Sequence, residues 1–216
     1  MTAPPPGRRP QGLLLDAMGT LVGLRQSVGT TYAAQASQHG IHLDPAALDE
    51  GFRRAYRSAP PLAFPTLSGA DLAAAELAWW SAVVCSSLES AGATEVPPGL
   101  CHALFDHFAT AAPWRVYPEV PGLLERWHRR GLRLAVVSNF DSRLHSLLEE
   151  LELAPWLDAV VVSSSAGAAK PDPAPFRQAL QQLGLDAAAV WHVGDSPEDE
   201  AGAAAAGIPC VLIRRP

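Results

Sequence analysis

Leu13-Leu14-Leu15-Asp16-Ala17-Met18-Gly19-Thr20-Leu21 decides how the rest of the chain reads. Three leucines without a polar break read as a short strand buried on both faces, the texture of a parallel sheet. The carboxylate at its end, followed by the turn-forming Gly19-Thr20, stands at the mouth of that sheet, where open α/β folds take their ligands. Three further polar residues recur in equivalent places. Ser138 ends the apolar run Leu134-Ala135-Val136-Val137, Lys170 opens Lys170-Pro171-Asp172-Pro173, and Asp195 closes Val193-Gly194-Asp195.

Downstream of Pro113, helical and strand patterns alternate. Helices are expected over residues 120–130, 142–151, 173–183 and 197–206, with strands over 132–137, 159–162, 190–193 and 210–213. Glycines at 131, 184 and 207 stop three of the helices. Such alternation predicts an α/β fold with a parallel sheet covered on both faces. Upstream, residues 27–112 show only helical patterns, over 27–39, 44–56, 71–90 and 98–110, the second opened by an Asp44 N-cap before Pro45. Four helices in succession suggest a small bundle. The expected organisation is a flexible tail at 1–10, a core domain from 11–24 and 113–216, and a helical cap domain at 25–112. An insertion leaving the core just after Asp16 would sit over the site as a lid.

The chain has 216 residues, 48% of them hydrophobic, which suits one sizeable core and a smaller appended domain. A formal charge of −6 argues against a nucleic-acid partner, which calls for a basic face. No apolar run is long enough to span a bilayer, and the Pro-rich start lacks the apolar segment of a signal peptide. Cys85, Cys101 and Cys210 form no Cys-x-x-Cys pair and read as reduced core thiols of a cytoplasmic protein.

Four motifs in order, on matching elements, resemble those of the haloacid dehalogenase (HAD) superfamily of hydrolases. More narrowly, Asp16-x-x-Gly19-Thr20-Leu21, Trp79-Trp80, Val137-Ser138-Asn139 and Lys170-Pro171-Asp172-Pro173 resemble the branch of HAD-like hydrolase domain-containing protein 3 and the rhythmically expressed gene 2 product. The resemblance implies a Rossmannoid parallel sheet with an inserted four-helix-bundle cap. It implies Asp16 as a nucleophile forming an aspartyl-phosphate, with Thr20, Ser138 and Asn139 binding the phosphoryl group and Lys170 supplying positive charge. It also implies Mg²⁺ held by Asp16, the backbone carbonyl of Met18, Asp195 and Asp199, the last supporting the ion or orienting Lys170. Glu198 and Glu200 are nearby acids, and Glu200 is an alternative candidate for the role of Asp199. Asp16 and Asp195 facing each other would repel without a cation.

The chain departs from the superfamily's phosphatase majority at Met18, where a second Asp usually serves as general acid and base. A thioether can do neither. Three readings follow. The first is an atypical Mg²⁺-dependent phosphohydrolase acting on a small phosphorylated metabolite with a good leaving group. The second is a weak or inactive HAD-fold binding protein, with a phosphometabolite or a protein as partner. The third is a 2-haloacid dehalogenase, for which Arg25, Arg53 and Arg54 offer no clear substrate-binding spacing. Outside the motifs, His192 reads as a core or strand-face histidine, and His102 and His107 do not share a helix face. Phe52, Tyr56, Phe105 and Phe108 read as packing within the cap, and one of Trp79 and Trp80 as packing into the bundle. Asp141 reads as a cap for the following helix or as a site neighbour.

Overall fold

The computed structural model describes residues 9–215, so most of the expected tail lies outside the described residues. Strands β1 (Gly12–Leu15) and β2 (Val22–Leu24) precede four helices, α1 (Val28–Gln38), α2 (Pro45–Ser58), α3 (Gly69–Ser90) and α4 (Pro98–His107). The chain then alternates through β3 (Trp114–Val116), α5 (Val120–Arg129), β4 (Arg133–Ser138), α6 (Arg143–Glu150), β5 (Ala159–Val162), the one-turn α7 (Ser163–Ala166), α8 (Ala174–Leu183), β6 (Val190–Gly194), α9 (Pro197–Ala205) and β7 (Cys210–Leu212).

Five strands form one parallel sheet in the order β5-β4-β1-β6-β7. The run Leu13–Leu15 occupies its centre because both its faces are covered, and all three leucines are buried. Leu15 lies opposite Val136 of β4 and Val193 of β6. The residues that follow these three positions therefore leave the sheet at nearly one level, which brings Asp16, Ser138 and Asp195 to the same edge. Against the sheet, α8 and α9 contribute Phe176, Ala179, Leu183 and Ala203 to a core with Leu14, Ala135, Val137, Val161 and Val190.

The chain divides into two compact units. The first holds the sheet, through residue 23 and again from 116 onward, together with residues 62–68. Those seven residues lie between α2 and α3, inside the stretch read as cap from sequence. They join the first unit because the Phe64 N–H donates to the Ser164 carbonyl at 2.9 Å and the Ser163 hydroxyl donates to the Leu62 carbonyl at 2.7 Å. Gly167, with φ +73°, permits this approach, since a Cβ there would stand 2.6 Å from the Pro65 Cα. The second unit, residues 24–61 and 69–115, holds the four helices around Tyr32, Ala36, Leu48, Val84, Leu88, Leu100, Cys101 and Leu104. Phe52 and Phe108 pack against that core as expected. Tyr56 also packs within this unit, although it is exposed: its ring meets Phe52, Trp79 and Trp80 with centroids 5.7, 5.8 and 6.1 Å away, while the Trp79 indole N–H donates to the Pro60 carbonyl.

Two strands escaped the sequence pattern. β2 and β3 pair as a two-stranded sheet at the points where the chain passes from the first unit to the second and back. Each has three residues, too few to display a period.

Candidate active site

Asp16 follows β1 and is buried. Its Oδ1 accepts from the Ser138 hydroxyl at 3.1 Å and from the Lys170 ammonium at 2.7 Å. Two donors on one oxygen fix the plane of the carboxylate. Lys170 is also buried, and its Nζ donates to Asp199 Oδ1 at 2.6 Å and to the Val137 carbonyl at 3.0 Å. All three ammonium hydrogens are thus used, as burial of that charge requires.

Asn139, expected among the phosphate contacts, is committed elsewhere. Its Nδ2 donates to the Lys170 carbonyl at 2.9 Å, and its Oδ1 accepts the Lys170 N–H at 2.7 Å. Both ends of the amide therefore clamp the lysine backbone, and Asn139 reaches the chemistry only through Lys170. Asp141 takes a bidentate bond from Arg143, through Nε at 2.8 Å and Nη2 at 2.7 Å, and also accepts the Arg143 N–H at 3.0 Å.

Asp199 is bonded through both carboxylate oxygens. Besides Lys170, its Oδ1 meets His192 Nε2 at 2.9 Å. Its Oδ2 accepts the Ser196 hydroxyl at 2.7 Å and the N–H groups of Ser196 and Asp195 at 3.1 and 3.2 Å. Ser196 answers by accepting the Asp199 N–H, a capping box that opens α9 and locks the acid in place. Gly194 is required here, because a Cβ would fall 2.3 Å from the Asp199 Cγ. His192 is a buried core histidine, as read, but it is also a member of this network. A carboxylate only accepts, so the bonded Nε2 carries the proton.

Asp195 sits beside the turn after β1. Its Oδ2 would be 2.1 Å from a Cβ on Gly19, whose φ of +79° also favours glycine. Oxygens of Asp16, Asp195 and Asp199 all lie within 4.8 Å of one another. Burial and the charges of Asp16 and Asp199 push the Asp195 carboxyl up to about 6. Burial also raises the Asp16 pKa, against the Lys170 ammonium. Burial alone would raise Asp199 too, but His192 and Lys170 hold it well below the usual carboxylate range. For Lys170, burial disfavours the charge, yet Asp16 and Asp199 more than compensate and raise its pKa. The cluster therefore carries more negative charge than its lysine balances, and hard oxygen donors in this arrangement fit a divalent cation. Asp16 and Asp195 are the acids with capacity for an ion, since both oxygens of Asp199 already accept protein donors.

Thr20 completes the edge. It is buried, and among the described residues its hydroxyl has no hydrogen-bond partner. Met18, by contrast, is 40% exposed. Asp16, Thr20, Ser138, Asn139, Lys170, Asp195 and Asp199 all come together within the first unit.

A sequence model of haloacid dehalogenase-like hydrolases matches residues 10–207, spanning every element from β1 to α9 and all the site residues. The chain belongs to this family. Human haloacid dehalogenase-like hydrolase domain-containing protein 3 is 37% identical over 208 residues, covering 94% of this chain and 82% of its own. A phosphoglycolate phosphatase from Rhodospirillum rubrum is 42% identical over 115 residues, covering 53% of this chain and 46% of its own. The HAD fold is seen again in CbbY from Rhodobacter sphaeroides, crystallised in complex with phosphate, with TM-score 0.66 and 16% identity over 95% of this chain and 87% of that one.

Proposed function

We propose that this HAD hydrolase is a Mg²⁺-dependent phosphohydrolase that acts on small phosphorylated metabolites with good leaving groups through an aspartyl-phosphate. The observation that carries the reading is Asp16 fixed by Ser138 and Lys170 beside the partnerless Thr20 hydroxyl. A buried hydroxyl without a partner costs free energy, and a phosphoryl oxygen is an acceptor that would satisfy it. The relative named a phosphoglycolate phosphatase supports the same class of substrate.

In this reading an Asp16 oxygen attacks phosphorus, the bond from phosphorus to the leaving oxygen breaks, and water then hydrolyses the acyl phosphate and restores Asp16. The Thr20 hydroxyl holds a phosphoryl oxygen, while Ser138 and Lys170, whose donors are spent within the network, orient Asp16 and add positive charge beside it. Asp199, held by His192 and Ser196, orients Lys170. Asp16 and Asp195, with the Met18 carbonyl, would hold Mg²⁺, which neutralises phosphate charge. Met18 cannot protonate the leaving oxygen, so it must depart as a stable anion, as acyl and aryl phosphates allow. Met18 also favours the second reading, a weak relative that binds a phosphometabolite or a protein. The acids around Asp195 weigh against dehalogenation, which needs no cation.

The test is turnover of acetyl phosphate and p-nitrophenyl phosphate with and without Mg²⁺. Activity on both is expected, against little on an alkyl phosphate of the same size. Silence on all three sinks the enzyme reading in favour of the binder. Met18→Asp places a carboxyl where the leaving oxygen needs a proton. It is expected to raise turnover of the alkyl phosphate on the order of 10²-fold while changing acetyl phosphate much less. An equal gain on both would mean that leaving-group protonation is not what the wild type lacks.

Mg²⁺ binding should depend on pH. Without a cation the Asp195 carboxyl titrates near 6, above its ordinary 3.8. The folded protein then holds that proton more tightly than the unfolded chain, so the associated stability is present in acid and lost as pH rises toward 6. A cation takes the proton's place. Mg²⁺ is therefore expected to raise Tm clearly at pH 7.5 and hardly at pH 5, in a thermal-shift titration. Equal shifts at both values would remove Asp195 from the ion's ligands.

A further inference from the structure

The second unit contains a pair of thiols that the site chemistry does not use. Cys85 lies in the last third of α3 and Cys101 in α4, and their sulfurs are 3.5 Å apart. Cys101 is buried in the helical core beside Val84, Leu88 and Leu104. Cys85 is half-buried at the margin of that core. We propose that these two residues are a peroxide-responsive modification site: hydrogen peroxide oxidises Cys85, and Cys101 resolves it into an intrachain disulfide that ties α3 to α4.

The geometry sets the order of events. Cys85 is the less buried of the two residues and therefore the one nearer to solvent. Its thiolate attacks one peroxide oxygen, the O–O bond breaks, Cys85 becomes a sulfenic acid, and the departing hydroxide takes up the proton lost by the Cys85 thiol and leaves as one water. The Cys101 sulfur then attacks the Cys85 sulfur, the S–O bond breaks, and the departing hydroxide takes the Cys101 proton as a second water. The two sulfurs lose two electrons in total, and peroxide accepts both. Burial, with Cys85 beside it, pushes the Cys101 thiol up to about 12, so Cys101 is not the sulfur that reacts first with peroxide, and its place 3.5 Å from Cys85 makes it the partner for the second step. A disulfide bond of about 2.05 Å requires the sulfurs to close by roughly 1.5 Å, within the reach of small side-chain rotations on two packed helices.

The bond would close a loop that includes the connection from α3 to α4, restricting the unfolded chain and stabilising the helical unit. Cys210 provides an internal control. It sits in the core of the first unit, among Leu14, Val190 and Ala203.

The experiment treats the full chain with hydrogen peroxide, alkylates the remaining thiols and maps the peptides by mass spectrometry. The expected product is a cross-link between the Cys85 and Cys101 peptides, reversible by dithiothreitol, with Cys210 alkylated. A rise in Tm of roughly 5 °C or more should accompany it. In Cys101→Ser the Cys85 sulfenic acid should persist long enough for trapping by dimedone. The proposal is overturned if Cys101 is still alkylated after Cys85 has advanced to sulfinic acid, or if the disulfide formed joins two chains. The mapping uses the wild type, so poor folding of the serine variant would not change which of these products is found.

Discussion

Asp16→Asn is expected to lower acetyl phosphate turnover at least ~10³-fold while leaving the protein folded. The substitution keeps the shape of the side chain and an oxygen that accepts from the Ser138 hydroxyl and the Lys170 ammonium, the two donors now 3.1 and 2.7 Å away. What it removes is the anionic nucleophile. An amide cannot form the acyl phosphate, so acid-quenched wild-type protein should carry a hydroxylamine-sensitive phosphoryl group that the variant lacks. Stability separates this loss from unfolding. Burial raises the Asp16 pKa in the cation-free state, and Lys170 keeps Asp199 as its partner when Asp16 becomes neutral. The variant should therefore melt within a few degrees of the wild type. Turnover that survives in a well-folded Asp16→Asn protein would exclude Asp16 as the group that attacks phosphorus.

The elements that were legible in the sequence are those whose pattern is local. Leu13–Leu15 and Leu134–Val137 announce strands because both faces are buried. Asp44, Pro45 and the glycines at helix ends announce boundaries through backbone chemistry. Asp16, Lys170 and Asp195 were legible because strand ends in a parallel sheet gather at one edge. The remainder depends on partners distant in sequence. Nothing in Ser138-Asn139 reveals that the asparagine amide turns to the Lys170 backbone, 31 residues away. The pairing of β2 with β3, and the attachment of residues 62–68 to the first unit, also rest on contacts between separated segments. His192 lies between these extremes. Alternation along β6 buries Val190, His192 and Gly194 together, and α9 then brings Asp199 to the same face. A period-two reading carried into the next helical turn would have found that pair.

Lys170→Met is expected to cost more stability than any other change in the site. Its ammonium lies between two buried carboxylates, Asp16 and Asp199, at 2.7 and 2.6 Å. Methionine preserves most of the stem packing and removes the charge, leaving both acids facing each other. Breaking one partner out of a buried ion pair costs about 3–5 kcal/mol, which for a chain of this size is a fall in Tm of roughly 10 °C. The sign with pH follows from the same geometry. Without Lys170, burial and the neighbouring Asp199 charge raise the Asp16 pKa in the folded state still further above that of the unfolded chain, and Asp199, though still held by His192 and Ser196, loses part of what keeps it low. The variant's remaining stability is then greatest in acid and declines as pH rises through the Asp16 pKa. The deficit relative to wild type should accordingly be large at pH 8 and small near pH 5. Mg²⁺ should recover part of it at pH 8 by supplying positive charge to Asp16. A deficit that stayed constant from pH 5 to 8 and ignored Mg²⁺ would trace the loss to the packing of the lysine stem, and the electrostatic account of this centre would fail.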